Sequence, residues 1–401
     1  MKIRILVILF FTLMTSKIEA QMPPEKTIII NNSKIAYYEQ GKGETIILLH
    51  GWPQTSFVWR KIMPALTNEQ IDHFEEYGFL KVDDVLDHET VIDPVVEEYE
   101  KVLDNLATVL YEKGSIKSKY QDLEFGDRVT KIYGESGEVH NQYFDFSLPQ
   151  GEIKSDTPFW AGPAVFNALT DKRLLDLVES LIGSEIYSNP VQHVRIKIPE
   201  DQCPKDEKGR VKFGATPWHQ DLGVVTEEAD DSDMLTVWFP LMNTDEKNGC
   251  LTVVPGSHRG ELLTHCPGYE VKNKSKDVSD NVPPGSFGLQ IPDHLFDVES
   301  SAPVPMKKGS VLLFTKKTVH AALPNISDRI RWSFDLRYNP VGQKTGRSVF
   351  PGFVARSKLN PGEILTNPYH WSKLWTEVRD GLAGAEQFSF QRWDTDDPAC
   401  A

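Results

Sequence analysis

The spacing of apolar residues changes partway along the chain, and the change predicts how it is built. Thr67-Asn68-Glu69-Gln70 has the form of a capping box, and Ile71, Phe74 and Tyr77 follow at helical spacing, so a helix is predicted to start there. Val95, Val96, Tyr99, Val102, Leu103, Leu106, Val109 and Leu110 form a long amphipathic stripe, and Leu174, Leu175, Val178, Leu181 and Ile182 form another. Both predict helices packed on a core, with no chemistry of their own. From about Tyr187 the signal shortens to strands. Residues 235–239 and 251–254 read as strands flanking Asp245-Glu246-Lys247-Asn248-Gly249, whose Asn-Gly pair predicts a tight hairpin. The apolar run Val311–Thr315 reads as a buried strand leading to His320, and residues 331–337 alternate apolar and polar with period two. Helices followed by strands predict an α+β fold in which helices buttress a β-helix or jelly-roll core. Residues 199–214 and 266–305 are long and polar, rich in Lys, Asp, Ser, Pro and Gly, and are expected as loops around the mouth of a site.

The N-terminus differs from everything downstream. Lys2 and Arg4 precede an almost wholly apolar run over residues 5–14 and a small residue at Ala20, the order of a secretory signal. The run is too short for a stable membrane span. After Pro23-Pro24, residues 27–38 read as a hairpin and residues 45–49 as a buried third strand, ending in His50-Gly51-Trp52-Pro53. Residues 27–66 resemble the opening of an α/β-hydrolase, where the His-Gly loop helps form an oxyanion hole. No Gly-x-Ser-x-Gly elbow follows, and the pattern changes at Thr67 before a nucleophile, acid and base appear. The expected organisation is a signal over 1–20, a truncated hydrolase-like fragment without catalytic apparatus over 27–66, and one large domain over 67–401. The fragment reads as a fusion or gene-model remnant without hydrolase activity.

The candidate chemistry lies in the large domain. Two residues apart on a predicted strand, His219 and Asp221 of Trp218-His219-Gln220-Asp221 project from one face, where a single metal ion is gripped by both. A second imidazole is expected from His320 on a neighbouring strand. Two histidines and a carboxylate on one face of an octahedron leave positions open for ligands, the arrangement of non-haem Fe(II) oxygenases. Arg331 and Ser333 share a strand face opposite Trp332, Phe334 and Leu336. A guanidinium buried beside a metal needs an anionic partner, and its planar fork suits a carboxylate. A dicarboxylate that chelates iron at one end supplies that partner at the other, and the spacing from His320 to Arg331 points to 2-oxoglutarate.

Rival assignments stand beside these. His258, in Pro255-Gly256-Ser257-His258, is the alternative second imidazole, and Arg329 and Arg337 are alternatives to Arg331. Lys197 either brings positive charge to the co-substrate or substrate, or points to solvent. His73, His88, His140, His193, His265, His294 and His370 have no partner pattern and are expected to be structural.

From about Thr67 to the C-terminus the sequence resembles the phytanoyl-CoA dioxygenase family of 2-oxoglutarate oxygenases. The matching stretches are Trp218-His219-Gln220-Asp221-Leu222, Asn248-Gly249-Cys250-Leu251-Thr252-Val253-Val254-Pro255-Gly256-Ser257-His258, and His320 through Asn325 and Ser327 to Arg331. The resemblance implies a double-stranded β-helix, jelly-roll or cupin-like, in which His219, Asp221 and His320 bind Fe(II) and Arg331 holds the distal carboxylate of 2-oxoglutarate. It also puts Trp238 near the co-substrate. The implied reaction uses O2 to hydroxylate an unactivated C–H bond of a small-molecule substrate, with release of succinate and CO2 and with ascorbate keeping the iron reduced. Related halogenating oxygenases carry a small residue in place of the carboxylate, so Asp221 implies hydroxylation. The alternative from another class is a non-catalytic metal- or small-molecule-binding β-barrel.

Composition narrows the partners. At 401 residues, 40% hydrophobic and 25% charged, the chain is long enough for a large core and ordinary for a globular protein. A formal net charge of −15 disfavours nucleic acid and anionic membrane as partners and argues against a highly anionic acyl-CoA substrate. Cys203, Cys250, Cys266 and Cys400 are too few and too scattered for a disulfide scaffold or zinc motif, and Cys250 reads as a core residue. A Cys203–Cys266 or similar bridge stays open if the chain is secreted. The signal predicts the secretory route; if the N-terminus is an artefact, the protein is intracellular, where Fe(II) and 2-oxoglutarate are most available.

Overall fold

The computed structural model describes residues 65–267 and 289–385, the short stretches 4–5, 26–30, 33–37 and 46–47, and residues 390, 392 and 396–400. Lys26–Ile30 and Ser33–Tyr37 form the expected antiparallel pair with Ile28 opposite Ile35, and Ile46–Ile47 pairs in parallel with Arg4–Ile5. Apart from Ala65 and Leu66, the remainder of the signal-like and hydrolase-like stretches, His50 included, lies outside the described residues. No helix among the described residues is long and apolar enough to cross a membrane.

A helix starts where the capping box predicted it. Thr67 Oγ1 accepts from the Gln70 N–H at 3.1 Å while Gln70 Oε1 accepts from the Thr67 N–H at 2.9 Å, starting α1 (Asn68–Tyr77). There follow β1 (Phe79–Val82), α2 (Asp93–Glu112), α3 (Phe125–Ser136), α4 (Pro163–Leu169) and α5 (Lys172–Ile182). The strands then run β2 (Ile186–Lys197), β3 (Thr216–His219), β4 (Leu235–Pro240), β5 (Leu251–Val253), β6 (Ala302–Val304), β7 (Val311–Thr315), β8 (His320–Ala322), β9 (Arg331–Pro340) and β10 (Phe353–Arg356), before α6 (Pro368–Leu382).

These strands make two antiparallel sheets. The larger has the order β10-β2-β9-β4-β7-β1 and the smaller β6-β5-β8-β3. Strand alternation gives each face of the larger sheet its own task. Val237, Phe239, Val311, Leu313, Trp332 and Phe334 join the helix-side core, with Trp332 stacked on Phe125 at 4.3 Å and edge-on to Tyr99 of α2 at 5.4 Å. Trp238, Leu312 and Phe314 point the other way and pack with Leu251, Val253, Val304 and Ala322 of the smaller sheet. Most of the stripes of α2 and α5 is buried as expected, Val95, Leu106, Leu174 and Val178 completely, while Val96, Val109, Leu181 and Ile182 are half-buried.

Three expectations change. The Asn248-Gly249 turn does not close a hairpin, because β4 and β5 belong to different sheets. The turn is still tight: Asn248 Oδ1 accepts from the Asp245 N–H at 2.8 Å, and Gly249 has φ +85°, with its Cα so near the Leu323 carbonyl that a Cβ would lie 2.6 Å from the oxygen. The segment 266–305 is not all loop, since β6 within it pairs with β5. Cys203 does not pair with Cys266. Cys266 is disulfide-bonded to Cys400, and Cys203 and Cys250 are free and buried.

Candidate metal centre

His219 ends β3 and His320 opens β8, and the two stand directly opposite each other in the antiparallel ladder with ring centroids 4.2 Å apart. The apolar run 311–315 and His320 lie on different sheets, so the run does not itself carry the ligand; the chain turns between β7 and β8 to deliver it. Asp221 is likewise not on the strand of His219. It opens a 3-10 turn, Asp221–Val224, and still returns to the same place because Gln220 between them is extended. His219, Asp221 and His320 are all buried, and their ligand atoms lie within 4.8 Å of one another.

The donor set suits one metal ion. Each histidine Nδ1 lies against a backbone carbonyl two residues back, His219 on Pro217 at 2.8 Å and His320 on Thr318 at 2.9 Å. A carbonyl only accepts, so Nδ1 carries the hydrogen and Nε2 the lone pair in each ring. Burial, with His320 alongside, pushes His219 down to about 3, and burial lowers His320 too, so both rings are neutral ligands at physiological pH. Both Nε2 atoms stand 3.9 Å from Asp221 Oδ1. Between a neutral ring and a carboxylate this is no ion pair; the three donor atoms converge on one point as a candidate site for a metal ion.

Arg337 completes the carboxylate's environment. Its Nη2 donates to Asp221 Oδ1 at 2.5 Å and its Nε to Oδ2 at 3.3 Å, while the Thr236 hydroxyl also donates to Oδ2. Burial alone would raise the Asp221 carboxyl, but Arg337 first and the two histidines after it outweigh that and hold it well below the usual carboxylate range. Arg337 is thus committed to Asp221 rather than available to replace Arg331. Its position was legible, since period two puts it on the face of Arg331 and Ser333; its partner was not. Thr236, two residues before Trp238 on β4, carried no sequence signal.

Arg331 is 1% exposed, donates from Nη1 to Ser333 Oγ at 2.6 Å, and stands 5.8 Å from the Trp238 ring. Its Nε has no hydrogen-bond partner, and no carboxylate among the described residues pairs with it. Burial, reinforced by Arg195, pushes it down to about 10, so it still carries its charge. Arg331, Trp238, His219 and His320 line one narrow cleft with Leu251 and Phe314. Lys197 is opposite Arg331 across the β2–β9 ladder and is buried, not solvent-facing; its Nζ donates to Thr216 Oγ1 at 2.7 Å. Burial, then Arg331 and Arg195, hold its pKa well below that of an ordinary lysine. Beside it opens a cavity of about 290 Å3, walled by Arg195, Lys197, Thr216 and residues 211–215.

The rivals fall away on position. His258 Nε2 meets the Glu75 carbonyl at 3.1 Å, against α1, and Arg329 pairs with Asp245 at 2.6 Å. His193 is held between Asp145 and Ser147.

A 134-residue stretch of the chain is 31% identical to 1-deoxypentalenic acid 11-beta-hydroxylase from Streptomyces arenae, covering 33% of this chain and 43% of that protein. The chain thus spans less than half of that relative's length. A 41-residue stretch is 42% identical to soluble epoxide hydrolase from Corynebacterium sp. (strain C12), covering 10% of this chain and 14% of that protein. Among solved structures, EvdO2 from Micromonospora carbonacea var. aurantiaca complexed with 2-oxoglutarate matches at 19% identity and a TM-score of 0.43, over 69% of this chain and 91% of that one. The family model for phytanoyl-CoA dioxygenase matches residues 74–333, which run from within α1 to Ser333 on β9 and enclose His219, Asp221, His320 and Arg331. By that match the chain belongs to the phytanoyl-CoA dioxygenase family.

Proposed function

We propose that this protein is an Fe(II)- and 2-oxoglutarate-dependent dioxygenase that hydroxylates an unactivated C–H bond of a small organic substrate, releasing succinate and CO2. The observation that carries this is the coincidence of three candidate metal-ligand side chains, His219 and His320 lining one narrow cleft and Asp221 beside them, with the guanidinium of Arg331, which lines the same cleft and has no ion-pair partner among the described residues. A buried unpaired cation costs several kcal/mol unless an anion joins it. A dicarboxylate bound to the metal at one end meets that requirement at Arg331. In the same reading the two sheets are the walls of a double-stranded β-helix with the site between them.

His219, Asp221 and His320 would hold Fe(II), which when bound supplies the activation of O2. Two neutral imidazoles and one carboxylate leave a divalent ion a residual positive charge, which favours binding of an anionic co-substrate. Arg331 and Ser333 fix the far carboxylate, Trp238 closes the cleft, and Lys197 brings its Nζ from the next strand as a further polar group. The cavity beside Lys197 is near the low end of the roughly 300–1,000 Å3 usual for small-molecule sites and would take the substrate.

The test is succinate release from 2-oxoglutarate with iron and ascorbate, screened over lipid, amino-acid and small-metabolite pools. Iron-dependent O2 uptake with 2-oxoglutarate supports the proposal. Binding of metal and 2-oxoglutarate without any turnover or uncoupled O2 consumption would leave a non-catalytic binding protein instead.

The secretory route is part of the same proposal. The Cys266–Cys400 disulfide supports it, because such bonds persist in oxidising compartments. N-terminal sequencing of the mature protein tests it, with cleavage near Ala20 expected.

A further inference from the structure

The backbone that carries Asp221 is held from outside the metal cleft by groups that the chemistry proposed above does not use. Gln220, between the two ligands, donates its N–H to His265 Nε2 at 3.0 Å. His265 Nδ1 lies 2.8 Å from the Leu263 carbonyl, so Nδ1 carries the hydrogen and Nε2 is the acceptor. The ring is buried and fits closely: a Cβ on Gly223, two residues after Asp221, would stand 2.7 Å from it. The Gln220 side chain adds to the grip, accepting from the Leu263 N–H at 2.8 Å.

The next residue after His265 is Cys266, disulfide-bonded to Cys400 across 134 positions of sequence. The C-terminal segment so tethered returns to the same turn. The Arg392 N–H donates to the Gly223 carbonyl at 2.9 Å, and Arg392 Nε donates to the Val225 carbonyl at 2.7 Å. Thr264 donates to Asp397 at 2.7 Å. The backbone at Gln220, Gly223 and Val225 is therefore fixed by two pieces of chain that one covalent bond joins.

We propose that His265 is a positioning residue for the metal ligands and that the Cys266–Cys400 disulfide locks it in place, so that metal affinity follows the thiol redox state of this pair. The inference rests on the metal-binding role of His219, Asp221 and His320. Reduction by a dithiol breaks the S–S bond and leaves Cys266 and Cys400 as thiols; the two electrons and two protons come from the reagent, whose own sulfurs join as a disulfide.

Co(II) titration of the full chain, read by its d–d absorption, tests this without turnover. Oxidised protein is expected to bind Co(II). Reduction with dithiothreitol, removed by gel filtration before titration, or Cys400→Ser is expected to weaken binding about 10- to 100-fold, as loss of outer-shell support does, and to shift the absorption bands. His265→Leu should do the same. His265→Gln, whose Oε1 can accept from the Gln220 N–H, should restore affinity and spectrum. If His265→Leu does not fold, reduction of the unmutated protein decides. Unchanged Co(II) affinity and spectrum on reduction, even with a lowered melting temperature, would make the tether purely structural and overturn the proposal. Absence of Co(II) binding by the oxidised protein overturns the metal site as well, whereas Co(II) binding without succinate release defeats the proposed activity alone.

Discussion

Arg337 grips Asp221 with two nitrogens, at 2.5 and 3.3 Å, and places a third 3.0 Å from Asp335. The wholly buried Asp221, a candidate metal ligand, therefore has a permanent counter-charge of its own. Removing it in Arg337→Met leaves the carboxylate buried beside two neutral rings. Breaking such a pair costs roughly 3–5 kcal/mol, and the Asp221 carboxyl should move up towards protonation. Chemical denaturation should show the loss, and metal binding near neutral pH should weaken with it. A variant of unchanged stability would mean that solvent already reaches Asp221.

Arg331 should act on the co-substrate alone. Its charge has no ion-pair partner among the described residues, so Arg331→Ala removes a partner from the ligand and breaks no ion pair in the fold. Hydrogen bonds to a charged group contribute roughly 1.5–3 kcal/mol, so 2-oxoglutarate binding should weaken by roughly one to two orders of magnitude while kcat at saturation changes less. Calorimetric titration with 2-oxoglutarate checks it, and an unaltered Kd would remove the role. Arg331→Lys should recover only part of the loss, because an ammonium has no planar fork.

Much of this site was legible because strands write their faces into sequence at period two. Arg331, Ser333 and Arg337 fell on one face and Trp332 and Phe334 on the other, as the structure has them. The capping box of α1 and the stripe of α2 were legible for the same reason, being local patterns. What could not be read was sheet membership. Asn248-Gly249 looks the same whether its flanking strands pair with each other or pass to different sheets, since only long-range pairing decides that. Asp221 lay beyond its strand because a turn of four residues leaves no periodicity. The Cys266–Cys400 pairing depends on where the C-terminus returns, and four cysteines allow three complete pairings.

Stability should fall on the acid side of neutrality. Burial, outweighing the nearby Asp145 carboxylate, pushes His193 down to about 4, and burial does the same to His265. In the unfolded chain each returns to about 6.5. Between those values the unfolded state binds protons that the folded state refuses, so stability is fully present above about pH 6.5 and declines as pH falls towards 4. Each histidine contributes roughly 3 kcal/mol across the window. Urea denaturation at pH 7.0, 5.5 and 4.5 should show the decline, with a shallower slope in His193→Gln. An equally steep slope in that variant would show that His193 is already protonated in the fold.

Gly249 should prove irreplaceable for a reason remote from the metal. With φ +85° and the Leu323 carbonyl 2.6 Å from where a Cβ would sit, Gly249→Ala must either strain its own backbone or displace the chain just after β8. The left-handed conformation alone costs roughly 1–2 kcal/mol. Because β8 begins at His320, displacement should appear as weaker metal binding as well as a lower Tm. A variant with a lower Tm and unchanged metal affinity would place the strain in the turn only.

The two candidate second imidazoles make a direct comparison. His320 is buried opposite His219 with its Nε2 3.9 Å from Asp221, whereas His258 sits against Gly78 and the Glu75 carbonyl at the end of α1. His320→Ala should abolish metal-dependent succinate formation while leaving a folded protein, since it removes a ligand and creates only a small polar void. His258→Ala should keep that activity and lose at most a modest part of its stability, because it deletes one partly exposed contact to α1. A chelator should reproduce the His320→Ala phenotype in the unmutated protein, and added Fe(II) should reverse the chelator but not the substitution. Activity that survives His320→Ala and disappears in His258→Ala would mean that the loop after β5 swings into the cleft when metal binds, and the ligand assignment would have to be rebuilt around it.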